Sequence, residues 1–407
     1  MSLPKFELDP AIGLSEIKLG TSLYTMLHQL SHLHLQVSYS PPPDVLIDPI
    51  TLTIKKYGIR MTFDPSRQLL IKIELLDLGK LEVSYKGKPI RDKGLRTLYD
   101  HYIGPTYPGS FHDGAYVLSY PGVSFRFEMK REWLSQLESK KDDKELLEWL
   151  LEMNPRATSI AVHRYDKWLP GANKDGENLR ARLDDIERLC SGDIEVDKLI
   201  SYGDGKVLVK LFKHPSLKEL KLVLKESMQQ DILADLGPPD EVFTKNDSRT
   251  LIHSSSSKSL GSNSASVFHN YFRFGFDLLY TTERTGAVLS KVIIHNNLPT
   301  SVMFGKYAKC YWEYFKGKQG LAGSLIHVKP NEMRFSKSGI QELFEGKITA
   351  VVLNRNEMLS SSIELLEQDG VGEGDGNEIK WGKSTVYACD GVIWDVVDDC
   401  INSITLY

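Results

Sequence analysis

Four stretches of this chain alternate large apolar with polar residues behind a glycine. They are Tyr57-Gly58-Ile59-Arg60-Met61-Thr62-Phe63, Tyr120-Pro121-Gly122-Val123-Ser124-Phe125-Arg126-Phe127, Phe274-Gly275-Phe276-Asp277-Leu278-Leu279-Tyr280, and Tyr387 through Gly391-Val392-Ile393-Trp394-Asp395-Val396. Alternation sends Ile59, Met61 and Phe63, and their counterparts, to one face of a strand. A glycine inside a strand weakens it, so its return at Gly58, Gly122, Gly275 and Gly391 predicts a bulge or a close backbone approach. The recurrence predicts an α+β protein of tandem degenerate repeats: four units, each a short helix or helix pair on an antiparallel sheet, grouped into two lobes.

Around each glycine the pattern predicts further elements. In the first unit, Leu23 to Leu30 reads as a helix with Thr21 or Ser22 as N-cap, followed by strands Ile50–Ile54 and Leu70–Leu75. In the second, Leu95, Leu98, Tyr99 and Tyr102 have helical spacing, and the closing strand Ser159–Tyr165 is delayed by a charged insertion, 133–151, that reads as an amphipathic helix. In the third, Ser227 and Gln230 form a capping box, Gly237-Pro238-Pro239 ends the helix, and strands follow at Glu241–Lys245 and Val288–His295. The fourth predicts a helix through Ile340, Leu343 and Phe344 and strands at Thr349–Leu353 and Ile401–Tyr407. The expected lobes are residues 1–200 and 201–407. Loops are expected at the Ser-rich stretch 254–264 and the acidic, glycine-rich stretch 368–377, because neither can bury enough apolar area to order itself.

Composition narrows the function classes. A chain of 407 residues has room for two or three domains. The formal net charge of −4 gives electrostatics no reason to predict a nucleic-acid binder. The four cysteines, Cys190, Cys310, Cys389 and Cys400, have no Cys-x-x-Cys spacing, so neither a zinc knuckle nor a disulfide framework is predicted, and a reducing, cytoplasmic setting is. No secretory leader and no transmembrane run is expected, so any membrane contact would be peripheral.

The third unit resembles the phagosome assembly factor family. The similar residues are Asp231-Ile232-Leu233 leading to Leu236-Gly237-Pro238-Pro239, Val242-Phe243-Thr244-Lys245, Ile252-His253-Ser254, Asn270-Tyr271-Phe272, Gly275-Phe276-Asp277, Lys291, His295 through Pro299, Tyr307 and Cys310. A second patch is Gly104-Pro105-Thr106-Tyr107-Pro108-Gly109. The resemblance implies a non-catalytic adaptor or regulator of autophagy, without a cofactor, acting at the phagophore assembly site. It implies a complex with a WD-repeat β-propeller protein, through which contact with phosphoinositide membranes would be indirect.

Other chemistry is weakly signalled. His28 and His32 are four apart, but no His-Glu-x-x-His motif frames them, so a structural role is expected rather than a metal site. The repeat glycines lack the Lys-Ser/Thr ending of a phosphate cradle. No Gly-x-Ser-x-Gly elbow marks a hydrolase. The candidate partner-binding residues are Phe243, Lys245, His253, Asn270, Tyr271, Lys291, His295 and Asn296. Two alternatives stay open: a hydrolase or small-ligand site near His253 and His295, and direct phosphoinositide binding by a basic rim of Lys245, Arg249, Lys258 and Lys291.

Overall fold

The computed structural model describes residues 4–133, 143–164, 194–214, 216–245, 266–283, 286–316, 326–328, 334–335, 350–354, 366–368, 383–389 and 391–407. The chain divides into two units. Unit 1 contains β1 (Lys5–Asp9), β2 (Gly13–Leu14), β3 (Ile17–Lys18), α1 (Leu23–His32), β4 (Val37–Ser40), β5 (Ile50–Ile54), β6 (Ile59–Phe63), β7 (Leu70–Leu75), β8 (Glu82–Tyr85) and β9 (Lys88–Pro89). It continues with α2 (Leu95–Thr97), which runs on as a wider turn over Leu98–Tyr102, then β10 (Ser110–His112), β11 (Ala115–Tyr120), β12 (Val123–Glu128), α3 (Asp143–Met153) and β13 (Ser159–His163).

Unit 2 contains β14 (Glu195–Ser201), β15 (Lys206–Lys213), β16 (Glu219–Val223), α4 (Gln229–Leu236), β17 (Glu241–Lys245), β18 (Ser266–Tyr271), β19 (Phe276–Glu283), β20 (Gly286–His295), β21 (Trp312–Lys316), β22 (Ile326–Val328) and β23 (Ala350–Asn354). After β24 (Leu366–Gln368), which belongs to unit 1, come β25 (Lys383–Cys389), β26 (Val392–Val397) and β27 (Cys400–Leu406).

The two units have one topology. Each has a small sheet, ordered β3-β2-β1-β8-β9 in unit 1 and β16-β15-β14-β21-β22 in unit 2. Its central pair is parallel in both, β1 with β8 and β14 with β21. Each also has a large antiparallel sheet. In unit 1 the order β10-β11-β12-β13-β7-β6-β5-β4 is followed by β24; in unit 2 it is β17-β18-β19-β20-β27-β26-β25-β23. Strand for strand these match, with α1 and α4 in the same place. Even the residue that opens each helix makes the same isolated bridge, Ser22 to Leu69 and Met228 to Val288.

The expectation of four α+β units is therefore corrected. Among the described residues the protein is mainly β-sheet, with a few short helices, and it is one long module present twice. The glycines mark turns rather than units, and they lie just before their strands rather than within them. Gly58 and Gly275 close four-residue hairpin loops, with their N–H groups bonded to Ile54 O (2.9 Å) and Tyr271 O (3.0 Å). Each carbonyl then accepts from the far end of the following hairpin, from Leu76 N just past β7 at 2.8 Å and from His295 N at the end of β20 at 2.9 Å. Gly122 and Gly391 instead sit in two-residue loops, and accept from His163 N (3.1 Å) and Tyr407 N (2.9 Å). All four have positive φ, between 66° and 83°, where glycine has no side chain to be penalised. One module thus has one glycine turn of each kind.

Most of the local signals in the sequence match the backbone. Ser22 caps α1, its Oγ accepting from Thr25 N at 3.1 Å. Strands β5 and β7 have the predicted bounds; β5 buries Ile50, Leu52 and Ile54 in alternation, and β7 buries Leu70, Ile73 and Leu75, the extra residue between the first two matching a register shift against β6. Within the insertion, α3 buries Leu146, Leu147 and Leu150. The capping box does not form. Ser227 Oγ accepts from Val223 N (2.9 Å), closing the turn after β16, and α4 starts behind Met228 without a side-chain cap. The predicted helix through Ile340 and Phe344 and the stretch 254–264 lie outside the described residues, as does 369–377.

Candidate functional site

The candidate residues separate into an edge and a core. Phe243 is on β17, an end strand of the large sheet of unit 2, and is 57% exposed, its ring 6.3 Å from that of Phe268. Lys245 closes the same strand, opposite Ser266. Asn270 pairs with Glu241 across β17 and β18, and its Nδ2 donates to Glu241 Oε2 at 3.5 Å. Beside them Arg273 lies over the Phe274 ring (4.6 Å) and bonds Asp240 at 2.7 Å, tying the β18 turn to the start of β17. Lys291 stands apart on β20, its Nζ 5.7 Å from the centre of the Tyr407 ring. His253, Arg249 and Lys258 lie outside the described residues.

Tyr271, His295 and Asn296 hold the fold from within. Tyr271 is fully buried, and its hydroxyl donates to Gly237 O at 3.1 Å, fixing the end of α4. Asn296 is buried where β20 ends. Its Nδ2 donates to Ile401 O (2.6 Å) and its Oδ1 accepts from Trp312 Nε1 (2.8 Å), so one amide joins three strands of two sheets. Trp312 packs 5.9 Å from Trp394 at the centre of the unit 2 core.

His295 belongs to a triad absent from the reading of the sequence. Its Nε2 is 2.9 Å from Asp277 Oδ2, Tyr307 OH donates to the same oxygen at 2.9 Å, and the imidazole stacks on the Tyr307 ring at 3.8 Å. Burial, and then the neighbouring Asp277 carboxylate, hold the Tyr307 hydroxyl well above the usual phenol range, so it stays a donor. Asp and His in contact resemble the back half of a hydrolytic triad, which also needs a nucleophile on the far ring nitrogen. Among the described residues no serine, threonine or cysteine hydroxyl or thiol is bonded to His295. The arrangement closes the sheet end instead, since His295 O accepts from Cys310 N at 3.1 Å. The equivalent positions of unit 1 are Arg60 and Leu76, so this clamp is private to unit 2.

A second polar feature of unit 2 is His269. It is 3% exposed, at the position that Leu52 fills in unit 1. Its Nε2 bonds Gln229 of α4 at 2.8 Å, while its Nδ1 has no hydrogen-bond partner among the described residues. Burial lowers its pKa below the ordinary 6.5. As the pH falls through 6.5 the unfolded imidazole takes up its proton first, so stability is lost below that pH and untouched above it. His269→Leu is expected to flatten this acid limb, by at most about 1.4 kcal/mol per pH unit. Urea midpoints at pH 7.5 and 5.5 check it; an unchanged difference between the two pH values for the variant would contradict it.

At the end of α1, His32 Nδ1 lies 2.7 Å from His28 O and His34 Nδ1 lies 2.8 Å from His32 O. Among the described residues no cluster of three or more His, Cys, Asp or Glu could hold a metal ion, and no helix is long and apolar enough to cross a membrane.

A family model described as phagosome assembly factor 1 matches residues 13–407. The chain belongs to this family. A PHAF1 protein of Caenorhabditis elegans is 26% identical over 343 residues, covering 77% of this chain and 79% of its own. A PHAF1 protein of Arabidopsis thaliana is 24% identical over 334 residues, 76% of this chain and 75% of its own. One of Drosophila melanogaster is 26% identical over 306 residues, 69% and 65%. No solved structure matches the chain. For a member of the phagosome assembly factor 1 family, the match spans both copies of the module. The exposed edge and the Asp277 clamp lie in the second.

Proposed function

We propose that this protein is a non-catalytic assembly factor of phagosomes and autophagosomes, an adaptor that works with a WD-repeat β-propeller partner at the phagophore assembly site. The reading rests on the family match over residues 13–407. It is supported by the exposed apolar pair Val242 and Phe243 on a sheet edge, within the stretch where the family resemblance is densest. Exposed apolar side chains on a regular edge strand are a surface that soluble proteins ordinarily shield. Membrane contact, in this reading, comes through the partner.

Two measurements test it. The full chain, tagged and purified from cells, is expected to retain a WD-repeat protein through gel filtration. The purified chain alone is expected not to float with vesicles containing phosphatidylinositol 3-phosphate, and to float once the WD-repeat protein is added. Salt-sensitive flotation of the chain alone would replace the adaptor with a direct lipid binder.

A further inference from the structure

The two copies of the module differ at one edge. In unit 1 the strand β4 does not end its sheet, because β24 lies along it in parallel, with Leu366 opposite Val37, Glu367 opposite Ser38 and Gln368 opposite Tyr39. In unit 2 the strand in the same topological place is β17, and among the described residues it ends the sheet. The other edges offer no such contrast, since among the described residues β10 and β23 each end their sheets.

We propose that β17 takes an added strand in trans: an extended segment of a partner protein that pairs with it in parallel, as β24 pairs with β4. This rests on the adaptor reading for the existence of a partner, and specifies where and how that partner is held. The hairpin registers align the two edges residue by residue. Leu52 opposite Tyr39 corresponds to His269 opposite Val242. Both Tyr39 and Val242 thus stand on the face that looks to the core. Tyr39, with a strand beside it, is 6% exposed; Val242, with none among the described residues, is 56% exposed. The same position in the same fold is covered in one copy and bare in the other.

The edge also states the chemistry of its occupant. Phe243, the next residue, points to the opposite face beside Phe268 and is 57% exposed. The incoming strand must therefore offer consecutive apolar residues, one for each face of the sheet, and no proline between them. Strand β17 has no proline and no register break against β18, and its two charges, Glu241 and Lys245, stand at its ends, leaving Val242, Phe243 and Thr244 uncharged between them. Backbone pairing would supply affinity and the Val242–Phe243 pair specificity, the division of labour seen when peptides extend sheets.

Hydrogen–deuterium exchange on the full chain, with and without the co-purified WD-repeat protein, tests this. The amides of 241–245 that point away from β18, alternate ones along the strand, are expected to exchange quickly in the free chain and at least about tenfold more slowly in the complex. The double variant Val242→Asp/Phe243→Asp is expected to keep its melting temperature and to bind the WD-repeat protein roughly 30-fold more weakly or worse. A variant that melted early would be replaced by Val242→Thr/Phe243→Thr, held to the same exchange readout. A complex that forms while amides 241–245 exchange as in the free chain would overturn the inference and leave the adaptor standing. Protection already present in the free monomer would assign the edge to the chain itself, and protection that rises with concentration alongside dimerisation would assign it to a second copy. Either overturns the proposal, and failure to form any complex removes the adaptor reading and this inference together.

Discussion

Gly275→Ala is expected to cost this protein about 4 kcal/mol or more, whereas Gly58→Ala at the equivalent turn of unit 1 costs about 1–2 kcal/mol. Both glycines have positive φ, +79° and +66°, and both variants bear the penalty of a side chain in that conformation. Their surroundings differ. A Cβ on Gly58 would meet nothing closer than 3.6 Å. One on Gly275 would lie 2.2 Å from Ala308 O and 2.8 Å from Cys310 N. That backbone cannot drift away, because Ala308 N is bonded to Phe272 O at 2.8 Å and Cys310 N to His295 O at 3.1 Å. Urea unfolding of the two single variants measures the contrast. Equal midpoints would show that the close approach at Gly275 is not what requires the glycine.

The second large effect is expected at Trp312. It is 1% exposed, packs on Trp394, and its indole N–H is the donor that satisfies buried Asn296. Trp312→Ala removes the ring, about 3–5 kcal/mol, and leaves the Asn296 oxygen without that donor, about 1–3 kcal/mol more. A loss of that size approaches the whole stability of many domains. Trp312→Phe keeps most of the apolar volume and loses the hydrogen bond, so it is expected to fold and to cost about 1–3 kcal/mol. If the Phe variant were as damaged as the Ala variant, packing would not be the larger part of the effect.

Much of the strand pattern was legible, because alternation is set by the pleat and survives whatever apolar residue is chosen. Thus β5 and β7 fall where Ile50–Ile54 and Leu70–Leu75 predicted them. The duplication was hidden for the same reason. Leu52 and His269, or Arg60 and Asp277, occupy equivalent places with no chemistry in common, so the copies keep their topology and lose their resemblance. Only the positive-φ turns, which glycine fills most easily, stayed visible, and two kinds of turn per module looked like four modules. The Asp277 clamp was out of reach for a different cause. It joins β19, the end of β20 and Tyr307 through strand pairing, and no local spacing announces that convergence. Ser227 misled because the same hydroxyl that could cap a helix can also close a turn, and the backbone of β16 had the nearer N–H.

The strand β24 sets an order of events during synthesis. The rest of its sheet is complete once β13 has left the ribosome, but Leu366–Gln368 emerge roughly 200 residues later, some 10–40 s at ordinary elongation rates. For that interval the nascent first half presents β4 bare, with Val37 and Tyr39 uncovered, to every other newly made chain nearby. A premature stop anywhere before Leu366 would make that interval permanent.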